Sequence, residues 1–179
     1  MNIHFTTQYD EHVLYDIETL YENSFPSSEK KPFDLLVRQH ASHQSTIYAI
    51  FADDTWIGLL ITLNGHDATL IDYFAIEPQY RNQGLGQQAL QLFCQTNQEQ
   101  CLCLEAESAT GKQPTSIESR RIAFYERCGF SKTNYEVDLF GVQMNILWIH
   151  HPVSFPQYSK IISDVFGGRI LFHVQRIEA

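Results

Sequence analysis

Positive charge is scarce in this chain. Twelve Lys and Arg stand against 21 Asp and Glu in 179 residues, a formal net charge of −9. That balance argues against a nucleic-acid partner, because binding a phosphate backbone depends on a basic surface. It suits a cationic substrate such as an amine. Long apolar runs are missing too: none reaches the ~18 residues that span a bilayer. The opening Met1-Asn2-Ile3-His4-Phe5 has neither the basic segment nor the apolar core of a signal peptide. We therefore expect a cytoplasmic protein with no membrane partner. Cys94, Cys101, Cys103 and Cys128 lack paired metal-type spacing, and the histidines show no H-x-x-x-H pattern, so no metal site is expected. Cys101-x-Cys103 puts both thiols on one strand face; redox or metal chemistry stands there against the plainer reading of reduced, buried thiols. Repeats and low-complexity linkers are also absent, which leaves one domain over 1–179.

Hydrophobic residues make up 44% and aromatics 13%, enough for a globular core at this length. Alternation marks strands at 2–8, 46–52, 55–63 and 68–76, and helical spacing marks 11–21 and 33–39. Asp10 can cap the first helix. Asn64-Gly65 signals a hairpin into the strand at Ala68. Further strands are expected at 101–107, 135–140 and 142–149, and a helix at 117–128, stopped by Gly129. In the tail, 155–166 reads as helix and 169–174 as extended.

The most informative stretch is Arg81-Asn82-Gln83-Gly84-Leu85-Gly86, placed between a strand and a helix that runs to about Gln98. The first turn of a helix has N–H groups with no intrahelical partner, and aligned peptide dipoles favour an anion there. Glycine at 84 and 86 lets a diphosphate approach the backbone. A dinucleotide fingerprint wants a third glycine, where this chain has Ala89, although Glu105 lies near the expected acidic position. A mononucleotide P-loop is absent.

The stretch matches R-x-x-G-x-G after the alternating Phe74-x-Ile76-x-Pro78-x-x-Arg81. About 40 residues later comes Ile122-Ala123-Phe124-Tyr125-Glu126-Arg127-Cys128-Gly129-Phe130, which is similar to A-x-x-[LF]-Y-x-x-x-G-F. With both motifs in order, the chain resembles the GNAT superfamily of acetyl-CoA-dependent N-acetyltransferases. The resemblance covers about half the chain, from Ala68 to near His150. It implies an α/β (α+β) fold: a central, mostly antiparallel mixed sheet with a V-shaped splay, flanked by helices. The core would span about 1–150, with 151–179 as a C-terminal extension. A homodimer is compatible with it.

Acetyl-CoA is the implied co-substrate, and the implied partner is a primary amine on a small molecule or a peptide, acetylated directly in a ternary complex. By resemblance, the backbone N–H groups of Gln83, Gly84, Leu85, Gly86 and Gln87, with Asn82 beside them, take the pyrophosphate. The strand edge at Phe74, Ala75 and Ile76 would pair with the pantetheine arm, and one of its N–H groups would face the acetyl carbonyl, a contact worth about 3 kcal/mol elsewhere. Arg81 has two readings: a charge partner of the pyrophosphate, or a side chain that orients the loop. Tyr125 is the candidate general acid, a phenol with ordinary pKa ~10 that holds its proton at neutral pH; otherwise it is an aromatic on its helix's apolar face. A substrate ammonium must lose a proton before it attacks. Glu105 and Glu107 share one strand face, and Glu105, the deeper, is the candidate base; the alternative is a solvated strand end. Acceptor-lining candidates by position are Tyr21, Glu22, Phe25 and Tyr135. The chain departs from the family at Glu118, where many members have asparagine, and at Arg121, where they have alanine. Arg120 and Arg121 could meet the coenzyme's 3′-phosphate or lie exposed on the helix. A non-catalytic acyl-CoA-binding sensor or assembly module is the rival reading.

Overall fold

Apolar residues alternate along most of the chain's strands, and that pattern puts a sheet at its centre with helices on both faces. The structure, a computed structural model, describes residues 2–27 and 29–178. Its strands are β1 (Ile3–Thr6), β2 (Ser45–Ala52), β3 (Thr55–Asn64), β4 (Thr69–Ile76), β5 (Leu102–Glu107), β6 (Ser131–Leu139), β7 (Val142–Ile149) and β8 (Val174–Glu178). They form one sheet in the order β1-β2-β3-β4-β5-β7-β6-β8, in which only β4 and β5 pair in parallel. The helices are α1 (Glu11–Ser24), α2 (Phe33–Ala41), α3 (Leu85–Thr96), α4 (Ile117–Arg127) and α5 (Phe155–Phe166). No helix among the described residues is long and apolar enough to cross a membrane.

Each face of the sheet has its own core. Leu85, Leu90 and Phe93 of α3 and Ile122 of α4 bury against Ile71, Ile76, Leu102 and Leu104 on one face. On the other, α1 and α2 pack through Ile17, Leu20 and Leu36 onto Ile47, Leu59 and Tyr73, while Tyr158, Ile161 and Val165 of α5 cover Leu70, Cys103 and Ile146. All four cysteines are free and buried.

One irregularity in β4 shapes the site. Ile61 pairs with Tyr73 but Thr62 pairs with Ile71, so Asp72 is an extra residue on its strand, a β-bulge. A bulge reverses the alternation of side chains on either side of it. Leu70, Tyr73 and Ala75 therefore face α1, α2 and α5, while Ile71, Phe74 and Ile76 face α3 and α4. Pairing to β5 stops at the same point: Thr69, Leu70 and Ile71 match Leu102, Cys103 and Leu104, and beyond them the strands part. This opening is the expected V-shaped splay.

Two local expectations change. The Asn64-Gly65 hairpin forms, but Asn64 pairs with Thr69 and the Gly65 N–H donates to the Ala68 carbonyl at 3.1 Å, so the loop is 65–68 and not a two-residue turn. The hairpin expected about Gly141, between strands 135–140 and 142–149, does form, as a two-residue turn at Phe140-Gly141 where both φ values are positive (51° and 84°) between paired Leu139 and Val142. In the tail, α5 matches the expected helix, but Gly168–His173 is a 3₁₀ turn and the extended segment is β8. Alternation over so short a stretch does not distinguish these, and pairing with β6 decides it.

Candidate functional site

Where β4 and β5 part, a cleft of about 1180 Å³ crosses the sheet. Its β4–α3 side is built as the motifs suggest. β4 ends at Ile76, Pro78 begins a single 3₁₀ turn, and Gly84 sits just before α3 with φ +78°. That left-handed geometry, easy for glycine and strained for other L-residues, is what Gly84 supplies. Space is secondary there, because a Cβ would meet only Gln88 Nε2, at 3.6 Å. Gly86 answers to packing, since a Cβ would lie 3.3 Å from Ile76 Cγ1. Among the described residues, the N–H groups of Gln83 to Gln87 find no backbone acceptor; the first to do so is Gln88, which donates to the Gly84 carbonyl at 3.1 Å. Those orphan amides and the edge of β4 beyond Ile71 are the features that fit a coenzyme A pyrophosphate and an extended arm.

Of the residues expected there, Phe74, Ala75, Ile76, Arg81, Asn82, Gly84, Gly86 and Gln87 line the cleft. Gln83 and Leu85 do not place their side chains in it. Leu85 is core, 3% exposed, and Gln83 Nε2 donates to the Gln79 carbonyl at 2.9 Å. For Arg81 the loop-orienting reading has the geometry: Nε donates to the Ile76 carbonyl at 2.7 Å.

Tyr125 enters from α4, half-buried, packed edge-on to Phe124 and Phe130. Burial pushes its phenol above the ordinary 10.0, only partly countered by the Arg121 charge, so it stays protonated. Glu105 enters from β5, on the opposite sheet face, as the first residue past the last β4–β5 pair. Burial lifts its carboxyl from 4.5 to about 7, and a 2.5 Å hydrogen bond from the Tyr158 hydroxyl holds it from going higher. Both side chains line the one cleft.

Glu107 and Glu118 are joined through Lys112, whose Nζ donates to them at 2.9 and 2.8 Å. The carboxylate at the family's asparagine position is thereby engaged, and Lys112 pulls it down to about 2. Arg121 lines the cleft, while Arg120 is exposed outside it.

A family model described as an acetyltransferase (GNAT) domain matches residues 43–132, half of the chain. The chain belongs to the GNAT acetyltransferases. No curated protein sequence matches it. Among solved structures, a GNAT-family protein from Bacteroides thetaiotaomicron superposes with TM-score 0.73 at 23% identity, covering 93% of this chain and 99% of that one. A spermidine N-acetyltransferase chimera from Vibrio cholerae and hSSAT gives 0.62 at 15% identity, over 83% and 95%. A Bacillus subtilis acetyltransferase in complex with CoA gives 0.58 at 16%, over 84% and 99%. At these identities the likeness is one of fold.

The acceptor side departs most from expectation. Tyr21 is fully buried, its hydroxyl accepting from the Lys31 N–H at 2.8 Å and donating to the Lys31 carbonyl at 2.9 Å. Tyr135, 3% exposed, donates to the Val153 carbonyl. Both are core residues of this GNAT fold and do not line the cleft; nor does Glu22, although the Lys30 it pairs with does. Among those expected, only Phe25 lines it. In their place stand Lys31, Asp72, Phe166 and Ile170, which position along the chain did not single out. Asp72 carried a faint signal, a charged residue breaking the apolar run of its strand. Phe166 and Ile170 carried none, because nothing local tells which face of the sheet a tail helix will cover.

Proposed function

We propose that this GNAT protein is an acetyl-CoA-dependent N-acetyltransferase that moves the acetyl group directly to a primary amine of a small molecule or peptide. The observation that carries the proposal is that Glu105 and Tyr125 reach one cleft from opposite faces of the sheet, the carboxyl raised to about 7 where a base works at neutral pH and the phenol holding its proton. Acetyl-CoA lies along the α3–α4 side, its pyrophosphate on the free amides of Gln83 to Gln87 and its arm beside Phe74, Ala75 and Ile76. The amine comes from the side of α5 and the α1–α2 loop. Glu105, ionised above about pH 7, takes a proton from the ammonium. The neutral nitrogen forms its bond to the carbonyl carbon, and the carbon–sulfur bond breaks with its electron pair going to sulfur. The Tyr125 hydroxyl protonates that thiolate, and the second proton shed by the acylated nitrogen returns to the Tyr125 oxygen, leaving a neutral amide and free thiol. Residues 1–179 act as one domain in this reading, with 151–179 closing the acceptor side through α5.

Calorimetry with acetyl-CoA, followed by thiol release across a panel of amines, tests the proposal. Saturable binding and amine-dependent thiol release are expected. Binding without turnover on any amine would make the protein an acyl-CoA sensor; no binding would refute the pyrophosphate assignment.

A further inference from the structure

The acceptor side of the cleft already holds an ammonium. Lys31 Nζ donates to Asp72 Oδ2 at 2.5 Å and lies 4.7 Å from the Phe166 ring centroid and 5.3 Å from that of Tyr73. A carboxylate flanked by aromatic faces is the set of groups that would hold a cationic end of a substrate. The backbone that carries the lysine is held in place, and its side chain is largely covered. Its N–H and C=O are both tied to the Tyr21 hydroxyl, Pro32 follows it, and its side chain is 23% exposed against 9% for Asp72. Of the other carboxylates on the cleft, Glu107 is tied to Lys112 and Glu29 is exposed. Glu105 alone is left at depth for an incoming ammonium. The lining of the cleft also includes the apolar side chains of Leu35, Leu139, Met144, Ile162 and Ile170.

We infer that Lys31 occupies the second cation position of the acceptor pocket, so that the acceptor is a monoamine with an apolar body and polyamines are rejected. The inference rests on the acetyl-transfer reading above and deepens it. A distal ammonium would meet Lys31 as a like charge in a half-buried site, whereas a distal methyl group meets no such repulsion and packs on the apolar lining. The net charge of −9 misleads here, because the local balance at Asp72 is already neutral.

Hexylamine and cadaverine have the same heavy-atom count and differ in a terminal methyl against a terminal ammonium. The wild-type protein should favour hexylamine by roughly tenfold or more, both in affinity for the CoA-loaded protein by calorimetry and in kcat/KM by thiol release. Lys31→Met should shift that ratio toward cadaverine by roughly tenfold, since Asp72, Tyr73 and Phe166 are then free to hold the distal ammonium. Lys31→Met combined with Asp72→Asn, which removes both charges, should keep the wild-type preference. Equal or better use of cadaverine by the wild-type protein overturns the inference whatever the variants do, as does an unchanged ratio in folded Lys31→Met. Selective binding of hexylamine by a protein that turns over no amine of the panel upholds it while refuting acetyl transfer.

Discussion

Replacing Glu105 by glutamine keeps the shape and the hydrogen bond from Tyr158 but removes the ionisation. In the folded protein the carboxyl titrates at about 7 against an ordinary 4.5, chiefly because burial disfavours its charged form. A carboxyl raised in this way favours the fold fully while protonated, below the unfolded value. That advantage is lost as pH rises through the folded value. At about 1.4 kcal/mol per pH unit of difference, the loss is on the order of 3 kcal/mol when complete, and about 2–3 kcal/mol of it falls between pH 5 and pH 8. Glu105→Gln does not titrate, so its stability relative to the wild-type protein should improve by about that amount between those two pH values. Urea unfolding of both proteins at pH 5 and pH 8 measures this directly. In thiol release, kcat/KM of the wild-type protein should climb with pH up to about 7, and the variant should lose this limb along with roughly 10²- to 10⁴-fold of rate. A stability difference that is the same at both pH values would show that the carboxyl is not desolvated, and the assignment of the base would fail with it.

Other perturbations give separate readouts. Tyr158→Phe removes the hydrogen bond that restrains the Glu105 pKa, so the rising limb of kcat/KM should move to higher pH; a shift downward would contradict the geometry. Tyr125→Phe should cost roughly 10- to 100-fold in kcat with acetyl-CoA affinity held, and full activity would remove the general-acid role. Gly84→Val forces a β-branched residue into φ +78°, and should lower stability by about 1–2 kcal/mol. Acetyl-CoA affinity of the folded variant should fall at least tenfold by calorimetry; unchanged affinity would refute the role of the α3 amides.

Some of this protein was legible in its one-dimensional pattern. The glycine turn after β4, the helix ending at Gly129 and the strands around them depend on local rules. A left-handed φ selects glycine, an unpaired helix start attracts anions, and alternation marks a half-buried strand, whatever the rest of the chain does. Tyr125 and the α3 amides follow from those rules together with the family resemblance. The acceptor side could not be read this way. Asp72 reaches the cleft because a bulge set by pairing with β3 displaces it, and Lys31 meets it from 41 residues away. Tyr21 and Tyr135 have apolar rings that the core absorbs, and their hydroxyls found backbone partners there. The pKa of Glu105 depends on α5 lying over β5, a contact between segments 53 residues apart. Burial and electrostatics act through space and not along the chain, so only the folded arrangement could decide which carboxylate is dry and which cation is already in place.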